Sequence, residues 1–181
     1  MKWLVIVIGI CYSLVRYAWA KGIPITNWPA FVVNKAMAFC AVSFLVLGFW
    51  ERTTNKDKSS DFFYMSSVCA IAHAFMSVAL LNPQYYKFLF VDVGTFNIFG
   101  EMVLFFGALA IALFFTTSKT VSSFKRDMLV LSTVLAHIIS VGILKWMDPT
   151  RWNYGLVPIS LLSALIIVLG LCVRIKEFAK E

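Results

Sequence analysis

The chain has 181 residues, of which 61% are hydrophobic and only 14% charged, and its mean hydropathy is +0.84. Soluble domains carry about 25% charged residues, so this composition excludes an ordinary water-soluble domain and indicates a lipid bilayer as the solvent. The net charge of +7 could suggest nucleic acid, but the sixteen Lys and Arg residues lie almost entirely in short connections between apolar runs. We interpret them as topology signals and contacts to anionic lipid, and we expect no nucleic-acid partner.

Six apolar segments are long enough to cross a membrane, which takes roughly 20 helical residues. They predict helices near 3–20, 29–50, 62–82, 95–117, 128–146 and 155–173. The predicted fold is an all-α integral membrane protein, a six-transmembrane-helix bundle that forms a single domain over 1–181. Because no segment remains for a nucleotide- or flavin-binding domain, any soluble redox partner must be a different chain.

The first segment imitates a signal peptide, with Lys2 before the apolar run and Ala18-Trp19-Ala20 after it. Arg16 lies between the run and this apparent cleavage site, which is unusual for a signal that is removed. We therefore expect the segment to remain as the first helix.

The distribution of basic residues predicts the orientation. When the connections are assigned to alternate sides, ten Lys and Arg residues share the side of the two termini and five lie on the other. Since basic connections stay inside, both termini are predicted to be cytoplasmic, in a multi-pass protein of the inner (plasma) membrane. The mixed aromatic and charged stretch from Pro83 to Asn97 is expected to lie along the outer surface and to cap what lies beneath it.

Ionisable residues inside a bilayer are costly and are functional candidates by default. The spans contain Lys35, His73, Glu101 and His137, and the chain has no other histidine. His73 lies 12 residues past the last inner charge of its helix and His137 lies 10 past the corresponding charge, or about 18 and 15 Å at 1.5 Å per residue. The two imidazoles are therefore predicted at nearly the same depth on parallel helices.

Two neutral imidazoles at one depth suit a b-type haem held from both faces. Small neighbours would leave room for the ring, and hydroxyl groups would orient the second nitrogen of each imidazole. These neighbours are Ser66, Cys69, Ala70, Ser77, Thr133 and Ser140. The alternative is that each histidine makes an ordinary interhelical hydrogen bond. We predict a single haem b with His73 and His137 as its iron ligands.

Two roles are open for Lys35, which lies below the outer end of the second span. It could form a buried ion pair with Glu101 of the fourth span. Alternatively, Lys35 and Arg16, near the outer end of the first span, neutralise the haem propionates. Arg16 and Lys35 are therefore predicted cofactor-binding residues beside the two histidines.

Three short motifs accompany the six spans: Ala70-Ile71-Ala72-His73 in the third, Ala110 to Ser118 at the end of the fourth, and Val134-Leu135-Ala136-His137 in the fifth. In these features the chain resembles the ferric reductase-like transmembrane domain family. The likeness is to its small bacterial branch, the haem subunit of the periplasmic methionine sulfoxide reductase system, and more loosely to single-haem STEAP-type reductases. The family commonly carries further histidines that this chain lacks, so the resemblance implies one haem.

The leading functional hypothesis is a membrane b-type cytochrome that passes electrons toward the outer face. It would take them from quinol or a separate flavoprotein, with the quinone or flavin supplied by that partner, and give them to an outer-face acceptor. It would be an electron-transfer subunit of an oxidoreductase, since no residue is assigned as catalytic acid, base or nucleophile. The alternatives are a small transporter or channel with an intramembrane Lys/Glu/His path, and a non-catalytic scaffold subunit.

Overall fold

The computed structural model describes residues 2–54, 56–92, 94–115 and 123–179. The chain is 86% helical. Six helices are long and apolar enough to cross a membrane: Lys2–Trp19, Pro29–Arg52, Ser60–Ala79, Ile98–Phe115, Phe124–Trp146 and Ile159–Phe178. This agrees with the predicted all-α membrane bundle.

The regular elements follow one another in a simple order. The helices are α1 (Lys2–Ser13), α2 (Asn34–Thr54), α3 (Lys56–Ala79), α4 (Pro83–Tyr86), α5 (Ile98–Phe115), α6 (Ser123–Trp146) and α7 (Ile159–Phe178). Two short antiparallel strands, β1 (Phe90–Asp92) and β2 (Thr95–Phe96), lie between α4 and α5. A π-helical turn continues α1 (Leu14–Trp19), and another precedes α2 (Pro29–Val33).

Several predicted boundaries were wrong by a few residues. The charged segment after the second span is mostly helical, because α2 runs to Thr54 and α3 begins at Lys56. Lys, Glu and Arg end an apolar run without ending a helix, since they are good helix formers. The fourth spanning helix begins at Ile98 and not at 95, where β2 lies instead. Its predicted end, with the last three residues of the 110–118 motif, lies outside the described residues.

The segment from Pro83 to Asn97, predicted as a surface amphipathic stretch, is built from α4, a 3-10 turn and the hairpin. The Asn82 side chain accepts hydrogen bonds from the backbone N–H groups of Gln84 and Tyr85, which fixes the start of α4. Gly94, at φ 96°, occupies the left-handed conformation that the hairpin turn requires.

Helix α2 is the centre of the bundle. It packs against α1, α3 and α7, while α6 packs between α5 and α7. One apolar core joins α2, α6 and α7 around Leu45, Leu131 and Ile167, and a smaller one joins α2 and α3 around Phe44 and Cys69. Within the described parts of these helices, no extensive packing joins α3 to α5 or α6. A gap therefore separates the two histidine-bearing helices, α3 and α6.

Charged side chains tie the bundle together at the end that carries both termini, here called the terminal end. Asp127 of α6 is 2% exposed, and its carboxylate lies 2.9 Å from the Arg52 guanidinium of α2 and 3.0 Å from that of Arg174 in α7. Arg126 approaches the same carboxylate at 3.7 Å. We call these four residues the Asp127 cluster, and it links three helices at one point. The opposite end of the bundle is called the distal end.

Candidate functional site between the two histidine helices

A cavity of about 360 Å³ fills the gap between α3 and the α5–α6 pair. This volume lies in the range of small-molecule sites, roughly 300–1,000 Å³. Helices α2, α3, α5, α6 and α7 all contribute to its walls, which are mostly apolar. At the distal end it is lined by Tyr86, Phe88 and Leu89, so the segment after α3 contributes to its wall. The cavity is the natural place to look for a ligand of this bundle.

The two histidine side chains meet in this cavity. The ring centres of His73 and His137 are 6.4 Å apart, and their planes cross at 76°. A metal lies about 2 Å from a coordinating imidazole nitrogen, and the ring centre lies about 1 Å beyond it, so rings on opposite sides of one metal ion have centres about 6 Å apart. The observed separation matches this value.

The His137 ring is held through its Nδ1 atom. Nδ1 lies 2.9 Å from the backbone carbonyl oxygen of Val103 on α5. A carbonyl only accepts hydrogen bonds, so Nδ1 carries the proton and donates it. The second nitrogen, Nε2, is then unprotonated and has the lone pair that a metal ligand needs.

The His73 ring is held by a side-chain network. Its Nδ1 lies 2.6 Å from Oδ1 of Asn34, a residue of α2 whose side chain is fully buried. The Asn34 amide donates from Nδ2 to the hydroxyl oxygens of Tyr86, at 3.0 Å, and Ser77, at 3.1 Å. In the structure Oδ1 of the amide faces the histidine. An amide oxygen only accepts hydrogen bonds, so Nδ1 is the donor. Nε2 of His73 is therefore also unprotonated and has a free lone pair.

Two imidazoles suit a metal that brings its own equatorial ligands. Among the described residues no group of three or more His, Cys, Asp or Glu side chains could hold a bare metal ion. Haem iron takes four nitrogens from its macrocycle and needs only axial ligands from the protein. The ring separation, the two anchored Nδ1 atoms and the apolar slot therefore fit the predicted haem.

Gly107 of α5 gives the His137 ring its space. A Cβ atom built at this position would lie 3.1 Å from Nδ1 and 3.2 Å from Cε1 of His137. Both distances are shorter than ordinary van der Waals contact, which begins at 3.4 Å. Any larger residue would press on the ring from the side of its hydrogen bond to Val103.

Of the two predicted propionate partners, Lys35 lines the cavity and Arg16 does not. Lys35 lines the cavity near its distal end, with Nζ 5.3 Å from the centre of the Tyr86 ring. The buried Arg16 is not part of the cavity wall, and its guanidinium donates instead to the backbone carbonyl of Leu156. Glu101 is exposed on α5, and no ion pair joins it to Lys35 in the described structure. The geometry therefore favours a ligand-facing role for Lys35 over the ion pair.

Of the predicted hydroxyl neighbours, Ser77 lies at its histidine, with Oγ 3.4 Å from Nδ1 of His73. Thr133 and Ser140 donate to carbonyl oxygens of their own helix, at 2.7 and 2.8 Å, and not to the histidine. The orienting acceptors are Asn34 and the Val103 carbonyl, both of which sequence reasoning missed. Asn34 left a signal, since it is a polar residue beside Lys35 in an apolar span. A backbone carbonyl leaves none.

A second pocket, of about 430 Å³, adjoins the cavity toward the terminal end. The two share Phe114, Phe115 and Val130 as a common wall. Its remaining lining combines aromatic and charged groups: Phe49, Arg52, Phe63, Tyr64, Ser67, Leu113, Arg126 and Asp127. It thus lies between the Asp127 cluster and the space around the histidines.

Comparison with models of known protein families finds no match for this chain, and neither curated proteins nor solved structures provide one. The likeness to ferric reductase-like transmembrane domains therefore stays a prediction from sequence motifs.

Proposed function

We propose that the protein is a membrane b-type cytochrome that transfers electrons through a single haem held by His73 and His137. The observation that carries this proposal is the pair of imidazole rings, 6.4 Å apart across a cavity, each with Nδ1 already hydrogen-bonded. An unliganded scaffold has no need for two imidazoles that line one cavity with both Nδ1 atoms hydrogen-bonded.

The residues of the chain have binding and insulating roles in this proposal. The haem would supply reversible one-electron chemistry at its iron. His73 and His137 would hold it through Nε2, and a haem held by two imidazoles would serve electron transfer and not substrate binding. Lys35 offers a positive charge to a propionate at the distal end, and the apolar walls exclude water. No side chain is assigned to move a proton.

The two ends of the bundle suggest the direction of transfer. Under the positive-inside rule the terminal end is cytoplasmic and the distal end faces outward, in the inner (plasma) membrane. The second pocket then lies on the donor side, where a quinol or a separate flavoprotein would deliver electrons. The acceptor would dock at the distal end, over the segment that contains Tyr86.

The test is an absorption spectrum of protein purified from haem-sufficient cells, recorded oxidised and reduced. We expect a low-spin b-type spectrum with one haem per chain, and loss of stable haem in both His73→Ala and His137→Ala. Tyr12→Phe is the control, because it removes a 2.6 Å hydrogen bond to the Val157 carbonyl at the distal end without touching a histidine. Wild-type protein without haem, or full low-spin haem in either histidine variant, would overturn the proposal. A transporter or a scaffold would give the first of these results.

A further inference from the structure

The Nδ1 atoms of the two histidines donate to different kinds of acceptor. His137 donates to a backbone carbonyl, whose position the helix fixes. His73 donates to the Asn34 side chain, which a substitution can change without altering the backbone. The Nδ1 partner of a ligating histidine sets the basicity of the ligand and the orientation of its ring.

The Asn34 side chain is itself fixed from the other side. Its amide nitrogen bonds to Ser77 on the same helix as the histidine and to Tyr86 in the distal cap. Tyr86 is 7% exposed and Asn34 is fully buried, so these bonds do not compete with water. The network thus joins α2, α3 and the cap around one ring nitrogen.

We propose that Asn34 is a positioning residue that sets the tautomer of His73 and, through it, the reduction potential of the bound haem. This inference rests on the proposed function. A stronger acceptor at Nδ1 makes the imidazole a stronger electron donor, which favours ferric iron and lowers the potential. Removing the acceptor has the opposite effect.

Two substitutions of similar size distinguish this role from simple packing. Asn34→Leu removes the acceptor and raises the midpoint potential. Asn34→Asp keeps an oxygen at the same place, adds negative charge and lowers the potential. For each we expect a change of about tenfold in the ratio of reduced to oxidised haem at a fixed potential, or about 59 mV for one electron. A residue that only fills space gives no reason for shifts of opposite sign.

The experiment measures midpoint potential and low-spin spectrum for wild type, the two Asn34 variants, Tyr86→Phe and Tyr12→Phe. Tyr86→Phe keeps Asn34 but removes one of the two hydrogen bonds that fix its side chain, so we expect a smaller upward shift of the midpoint potential. This variant also tests the role of Asn34 if the Asn34 variants do not fold. Tyr12→Phe is the matched control and stays at the wild-type potential.

The outcomes separate the two proposals. Wild-type protein with haem, combined with Asn34 and Tyr86 variants at the wild-type potential, overturns the role of Asn34 and leaves the cytochrome intact. Shifts of the same sign in Asn34→Leu and Asn34→Asp also overturn it, since they indicate a general disturbance. Wild-type protein without haem overturns both.

Discussion

Substitution of Gly107 by alanine should disturb the His137 ring and its hydrogen bond to Val103, because it adds only one methyl group beside that ring. The added Cβ would lie 3.1 Å from Nδ1, about 0.3 Å inside the 3.4 Å limit of ordinary contact. The ring cannot simply turn away, because the Val103 carbonyl holds the same nitrogen at 2.9 Å. Either the hydrogen bond lengthens or α5 moves back from α6.

Overpacking of this kind costs about 1–3 kcal/mol. Since about 1.4 kcal/mol corresponds to tenfold in affinity, haem retention should fall by about tenfold or more in Gly107→Ala. The assay is the haem-to-protein ratio after transfer to an excess of apo-acceptor protein, together with thermal unfolding in detergent.

Gly48→Ala is the matched control. Its Cβ would meet the Phe63 ring at 2.8 Å, so it crowds an interface between α2 and α3 away from both histidines. Both variants gain the same helix propensity from alanine. We expect Gly48→Ala to alter stability but to keep its haem. Equal haem retention in the two variants would refute the argument that Gly107 makes room for the His137 ring.

Three further predictions follow from the charged residues. Asp127→Asn leaves guanidinium groups without their shared carboxylate and should lower the free energy of unfolding by about 3–5 kcal/mol. Lys2→Met breaks the exposed ion pair with Asp61 and should lower it by less than about 1 kcal/mol. Thermal unfolding measures both changes. Lys35→Met should lower the haem midpoint potential by removing a nearby positive charge, and adding Glu101→Gln should recover no stability; recovery would restore the ion-pair interpretation. Reporter tags at the two termini should both be cytoplasmic, and a periplasmic signal from either would contradict the orientation.

Hydrophobic length and composition predicted six of the seven α-helices in the described part of the chain, because a spanning helix must satisfy its backbone hydrogen bonds within an apolar run. Counting residues along helices also brought His73 and His137 to one depth, since the helical rise is constant. The hairpin before Ile98 was missed because a two-stranded ribbon leaves little periodicity in five residues. The end of α2 and the start of α3 were misplaced because the charged residues there interrupt the apolar run but still favour a helix.

The site was only partly accessible to sequence reasoning. A polar residue in an apolar span can be found, but its partner cannot, because the partner comes from another helix whose rotation is unknown. Lys35 and Glu101 looked like a pair by depth alone, yet they face different surroundings. The support of His137 by the Val103 carbonyl has no side-chain signature at all.

The position of α3 has a mechanical consequence for the whole molecule. Helix α3 packs along α2, and α2 is joined to α6 both through α7 and directly, by the shared apolar core and the Arg52–Asp127 ion pair. The α2–α7 seam therefore contributes to the spacing of the two imidazoles. At that seam Gly170 lies so close to Val46 that a Cβ would approach its side chain to 2.8 Å. A methyl group added at Gly170 would push α7 away from α2. We expect this to change the distance between the two histidines, although the methyl group contacts neither of them.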